Sequence, residues 1–142
     1  GALIVVEQAI HLTEYESTGI KMDCLVSMQV LMNIFEHNTP LHDGAIIIRG
    51  DRIVSATCYL PLSDNMGLSK ELGTRHRAAV GMSEVSDALI IVVSEENGKV
   101  SVAQGGVLDR AVTREELREK LTYIEQKAGE QEFPAAYMER KE

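Results

Sequence analysis

Gly73-Thr74-Arg75-His76-Arg77-Ala78-Ala79-Val80 reads as the start of a helix set between two apolar hairpins, and that placement decides the fold class. Gly73 frees the backbone to turn and to approach a ligand closely. Thr74 is the N-cap candidate, since its hydroxyl can accept from an early helical N–H. Ala78, Ala79 and Val80 begin a small-residue face, and the helix is expected to run to about Asp87, tolerating Gly81. Before it, Ala45–Arg49, a Gly50-Asp51 turn and Arg52–Leu60 read as strand, turn and strand. After it, Ala88–Val93, a turn over Ser94–Gly98 and Lys99–Gln104 read as a second hairpin.

Working outward, Ala2–Glu7 is a buried first strand, Thr13–Glu16 a helical turn and Ile20–Asp23 a short strand. Ser27 caps a helix through Glu36, whose Met28, Leu31, Met32 and Phe35 recur at helical spacing and form its expected core face. Asn38-Thr39-Pro40 stops that helix. Pro61–Ser69 is a loop, with a short helix through Leu72, and Val107-Leu108 adds an edge strand. Thr113 and Glu116 form a capping box that opens a last helix to about Lys127, with Leu117, Leu121 and Ile124 in phase. Helices interleaved with hairpins predict an α/β fold of the mixed α+β kind, a central mixed sheet surrounded by helices. Residues 1–128 are expected to be one domain and 129–142, polar and proline-broken, a flexible tail.

The 142 residues suit a single domain. With no tryptophan and two phenylalanines, the core must be aliphatic. A formal net charge of −8 argues against general nucleic-acid binding, which needs a basic surface. It also makes Arg75-His76-Arg77 a local positive spot. Cys24 and Cys58 form no metal-type pair and read as free thiols of a reducing compartment. The chain shows no apolar run of membrane-span length and opens directly on strand-like residues, which is the expectation for a domain excised from a longer protein.

Three polar clusters fall at strand ends or at the helix start: His42-Asp43-Gly44-Ala45, Thr74-Arg75-His76-Arg77 and Ser94-Glu95-Glu96. Unpaired N–H groups and a partial positive charge at a helix start suit anions, and arginine forks onto phosphate. The bland alternative pairs these arginines with Glu71 or Glu84. Asp43 offers a carboxylate to a hard cation or a sugar hydroxyl, and Gly44 lets backbone approach a planar ligand. Such a set is what metal-assisted phosphoryl or nucleotidyl transfer needs. Neither a Gly-Lys-Ser/Thr phosphate loop nor a Gly-x-Gly-x-x-Gly string is present.

Asp43-Gly44-Ala45 and Arg75-His76-Arg77 resemble the paired motifs of the diadenylate cyclase (DisA_N-type) domain. The strings Asn38–Ala45, Cys58–Ser63 and Glu71–Ala79 are similar to its membrane-tethered CdaA type, and the resemblance covers roughly Gly1 to Leu121. It implies a mixed sheet ringed by helices and condensation of two ATP into cyclic di-AMP with release of two pyrophosphates. It also implies one ATP per protomer and a face-to-face homodimer, which the acidic charge of the chain is expected to make transient. A divalent metal is implied as well, Mn²⁺, Mg²⁺ or Co²⁺. By the same resemblance the catalytic set is Asp43, Arg75, His76 and Arg77. The ATP-binding set is Gly44, Ala45, Tyr59, Leu60, Gly73, Thr74, Arg75, Ser94 and Glu96, and the metal set Asp43, His42 and Glu96. His42 alternatively ties down a turn. The family pattern places a helix before the first strand and, in this type, transmembrane helices before that. The chain lacks both, so a cytoplasmic domain of a parent anchored in the bacterial membrane is expected. A non-catalytic nucleotide-binding module and a structural interaction domain are the competing classes. The second gives no reason for Arg75-His76-Arg77.

Overall fold

The computed structural model describes residues 1–70 and 72–132. Their elements, in order, are β1 (Ala2–Val6), α1 (Thr13–Glu16), β2 (Ile20–Leu25), α2 (Met28–Ile34), β3 (Ala45–Arg49) and β4 (Arg52–Cys58). There follow α3 (Thr74–Val85), β5 (Leu89–Val93), β6 (Val100–Gln104), β7 (Val107–Asp109) and α4 (Arg114–Glu132). The strands make one sheet in the order β2-β4-β3-β1-β5-β6-β7. β1 runs parallel to β3 and antiparallel to β5, and the remaining pairs are antiparallel. This is the expected mixed sheet with helices. The apolar runs of β1, β3 and β5 take its centre, because a strand covered on both faces needs apolar side chains at every position.

Alternation along those strands splits the core in two. Leu3, Val5, Ile47, Ile90 and Val92 pack with Ala78, Ala79, Val80 and Met82 of α3. Ile46, Ile48 and Ile53 pack with Val30, Leu31 and Ile34 of α2 and with Phe35 at its C-cap. Truncating a buried isoleucine such as Ile47 to alanine costs about 2–5 kcal/mol. Glu7, buried, joins Arg49 and the Leu12 N–H, and Arg49 also reaches Glu16, so one network ties β1, β3 and α1 together. Burial alone would push the Glu7 carboxyl up. The Arg49 guanidinium and the Leu12 N–H together outweigh it and hold the carboxyl below its ordinary value. The stability this contributes is present above the ordinary carboxylate range and is lost as pH falls through the depressed value.

Several local expectations are corrected. Met28 and Met32 are 68% and 67% exposed, and the buried side of α2 is carried by Val30, Leu31, Ile34 and Phe35. The N-cap of α3 is Gly73, not Thr74, and α3 ends at Val85. No helix forms between Pro61 and Leu72 among the described residues. β4 stops at Cys58, which pairs with Ala45, and its register shifts between Ser55 and Cys58. The chain divides into two compact units, Gly1–Val112 and a second beginning at Thr113. In the second, Thr113 N–H donates to Glu116 Oε1 at 3.3 Å and Glu116 N–H to Thr113 Oγ1 at 3.1 Å, the capping box as read. α4 runs past Lys127 to Glu132, so the first residues expected as tail are helical, and residues 133–142 lie outside the described ones. No helix among the described residues is long and apolar enough to cross a membrane.

Candidate active site

A cleft of about 800 Å³ opens in the first unit where five segments meet: the approach to β3, the end of β4, the start of α3, the β5–β6 turn and the exit from β7. Asp43, Gly44, Tyr59, Leu60, Gly73, Thr74, Arg75, His76, Ser94 and Glu96 all line it. Three clusters far apart in sequence therefore share one cavity.

The floor between β3 and β4 depends on unusual backbone. Gly44 has φ +78°, and a Cβ there would fall 2.9 Å from the Thr57 carbonyl carbon. Only glycine satisfies both demands. Thr57 itself stands at φ +58°, where pairing slips from Ala45↔Cys58 to Ile47↔Ser55. A β-branched residue in that region costs on the order of 1–3 kcal/mol. Its buried Oγ1 has no hydrogen-bond partner. The extra residue bends the strand, and Tyr59, 72% exposed, and Leu60 reach the cleft from its end. Tyr59 N–H is held by Thr18 Oγ1 at 2.9 Å. Asp43, beside Gly44, accepts the Gly44 N–H at 3.1 Å. Ala45, the first residue of β3, is fully buried and does not line the cavity. Burial pushes the Cys58 thiol up, so it stays protonated and inert.

The start of α3 forms another wall. Gly73 caps it with extended backbone and no side-chain bond, and the first intrahelical bond is Arg77 N–H to Gly73 O at 3.2 Å. The N–H groups of Thr74, Arg75 and His76 therefore have no intrahelical acceptor. Arg75 Nη1 lies 3.1 Å from Glu95 Oε2 on the β5–β6 turn. Of the two acids in the alternative reading, Glu84 instead accepts from Ser63 Oγ at 3.1 Å, and Glu71 lies outside the described residues. The His76 imidazole is held below its usual value by burial and then by the Arg110 charge, against an opposing pull from Glu96. It is therefore neutral at pH 7.

Arg77 does not line the cleft. Its carbonyl accepts the Ser63 N–H at 3.0 Å and its Nη2 lies 3.4 Å from Ser69 O, so it braces the 61–69 loop. Three successive helical side chains diverge by about 100° each, so they cannot all meet one ligand. That loop also rests on α3 at Gly81, where a Cβ would lie 2.0 Å from Pro61 O. His42 is likewise off the cavity wall: its Nδ1 sits 2.6 Å from Thr39 O and its ring 5.9 Å from His37. A proton on Nδ1 makes that contact a bond, and the ring ties down the turn. No group of three His, Cys, Asp or Glu side chains among the described residues is placed to hold a metal. Asp43 and Glu96 remain as cleft carboxylates, a donor set that fits a hard cation shared with a ligand's phosphates rather than a cage made by protein alone.

Glu95, Lys99 and Arg110 also line the cavity and lie outside the site set read from sequence. Lys99 was within reach of the hairpin reading, since a strand returning from the Ser94–Gly98 turn must bring it back beside Ser94. Ser94 N–H donates to Lys99 O at 3.0 Å. Arg110 had no such signal, because it reaches the cleft only through the short β7 and a left-handed Ala111 at φ +58°.

Residues 1–108 match the family model for the DisA bacterial checkpoint controller nucleotide-binding domain. The chain is 55% identical over 121 residues to the cyclic di-AMP synthase CdaA of Bacillus subtilis, and 57% identical over 121 residues to a diadenylate cyclase of Listeria monocytogenes. The match covers 85% of this chain and 44% of each relative, so the chain spans less than half the length of these curated proteins. Among solved structures it resembles the N166C/T172C double mutant of DacA from Staphylococcus aureus, with TM-score 0.85 and 52% identity over 87% of this chain and 83% of that one. A hypothetical membrane spanning protein from Bacillus cereus superposes with TM-score 0.76 and 46% identity, over 79% of this chain and 55% of that one.

Proposed function

Because the chain belongs to the DisA-type nucleotide-binding family of diadenylate cyclases, we propose that it condenses two ATP molecules into cyclic di-AMP and releases two pyrophosphates. The observation that carries this reading is that Asp43 and Arg75, from two separate motifs, line one cleft beside an uncapped helix start. A 3′-oxygen bonds to the α-phosphorus of a second ATP, the bond to pyrophosphate breaks, and the hydroxyl proton passes to the Asp43 carboxylate. The free N–H groups of Thr74 and Arg75 and the Arg75 guanidinium hold phosphate oxygens as charge develops on them. Neutral His76 serves as a hydrogen-bonding group rather than a charge. Tyr59 and Leu60 flank the base, and Gly44 lets the nucleotide lie against the backbone. Asp43 and Glu96 would hold a divalent cation, Mn²⁺, Mg²⁺ or Co²⁺, which supplies charge neutralisation at the phosphates when bound.

A cleft of about 800 Å³ suits one nucleotide. The product is two-fold symmetric, so two copies must face each other, each ATP acting as nucleophile and electrophile. With a net charge of −8 per chain, long-range attraction between copies is absent, and the pairing is weak and transient. We place the catalytic region within residues 1–128, as a cytoplasmic domain of a membrane-anchored bacterial protein. The likeness to a hypothetical membrane spanning protein from Bacillus cereus supports the anchor.

The test is incubation with ATP and Mn²⁺ or Mg²⁺, with products identified by mass. Cyclic di-AMP is expected, at a specific activity that rises with enzyme concentration. ADP or AMP as the only product, or full activity in excess chelator, overturns the reading. Binding without turnover favours the nucleotide-binding module. Activity that stays flat on dilution, in a species monomeric by sedimentation, removes the face-to-face pairing.

A further inference from the structure

We propose that Arg110 and Lys99 form a subsite for the terminal phosphates of the nucleotide and so set a preference for a triphosphate over a monophosphate. The proposal rests on the nucleotide-binding reading above. Both residues line the cleft, on the β6–β7 side. Arg49, Arg52 and Arg75 each pair with a carboxylate, whereas among the described residues neither Arg110 nor Lys99 makes an ion pair. The α3 start and Arg75 can satisfy part of a triphosphate, and Arg75 is already shared with Glu95. The charge further along the phosphate chain needs other cations, and these two stand exposed in the same cavity.

The backbone holds both in place. Asp109 pairs with Val102 in the sheet, and Val112 N–H donates to Val100 O at 2.8 Å. Arg110 and Ala111 must cross between those two anchors, and Ala111 does so at φ +58°, a conformation L residues adopt at a cost. That turn delivers the guanidinium to the cleft. Lys99 is fixed by its N–H to Asn97 Oδ1 at 2.9 Å and by its carbonyl to Ser94. The downward pull of Arg110 on His76 agrees with a guanidinium close to the α3 wall.

The experiment compares 3′-deoxy-ATP and 3′-deoxy-AMP, which lack the nucleophile, by calorimetry with Mg²⁺ on the wild type, Arg110→Gln/Lys99→Gln and Arg110→Lys. The double variant should lose at least about tenfold in affinity for the triphosphate, with monophosphate affinity within about twofold of wild type. Arg110→Lys should keep most of the preference, because the charge remains. Equal losses for both ligands, or an unchanged ratio, overturn the subsite. A wild type that binds neither ligand overturns the nucleotide reading with it. A wild type that binds both, with the ratio unmoved in the double variant, overturns the subsite alone.

Discussion

The starts of α3 and α4 are finished in opposite ways. Thr113 and Glu116 close the α4 start reciprocally, each accepting an N–H from the other. α3 begins at Gly73 with no side-chain cap bond, though among the described residues nothing lies within 4 Å of where a Cβ would sit. Room for a cap exists and is left empty. A cap at α4 contributes about 1 kcal/mol. With glycine at its N-cap, α3 forgoes only about a few tenths of a kcal/mol, and what it retains is a set of N–H donors facing a cavity. A first turn whose N–H groups no side chain takes, on the wall of a cavity that Arg75 and Asp43 also line, leaves those donors to whatever the cavity binds.

Four substitutions break or sharpen that contrast. Asp43→Asn leaves the α3 wall intact and removes the group that takes the proton, so turnover should fall by at least about 10²-fold with ATP affinity nearly unchanged. Single-turnover assays beside calorimetry check it, and wild-type turnover would contradict the role. Arg75→Ala removes the guanidinium but keeps the N–H groups. ATP affinity should drop about 10- to 100-fold and adenosine affinity should not. Gly73→Asp gives α3 the cap it lacks: the melting temperature should rise slightly while ATP affinity falls about tenfold, because the new carboxylate takes the donors and repels phosphate. Affinity and stability rising together would show that these donors do not serve the ligand. Thr113→Ala should cost about 1 kcal/mol of α4 stability by circular dichroism and leave ATP affinity as it was.

The sheet was legible because its central strands carry their burial in plain sight: Ala2–Val6 and Leu89–Val93 are apolar at every position, and both hairpins are marked by their turns. The phase of α2 was not. Met28, Leu31, Met32 and Phe35 share helical spacing with the set Val30, Leu31, Ile34 and Phe35, and periodicity cannot choose between two apolar stripes one step apart. Only packing against Ile46 and Ile48 decides it. The site was legible to the extent that a motif is a contiguous string. Asp43, Gly44, Arg75 and His76 line the cleft, while Ala45, Arg77 and His42 belong to the same strings and do not. A string tells which residues travel together, not which way each faces. Lys99 and Arg110 show the converse, since their place depends on pairings between β6 and β7 and on Val112 returning to Val100.

The Arg75–Glu95 contact gives the cleft's arginine a counter-charge from its own chain. An anion arriving at Arg75 does not meet a bare cation; it meets one whose counter-charge is already covalently supplied. Occupying the site is an exchange of one anion for another, and its free energy is the difference between two ion pairs in the same position. Small monovalent anions, which offer nothing a carboxylate lacks, have little to gain there. A ligand prevails when it brings more charge than one carboxylate or is gripped elsewhere at the same time. Discrimination at this position thus begins before any substrate is present, in the identity of the group that must be displaced.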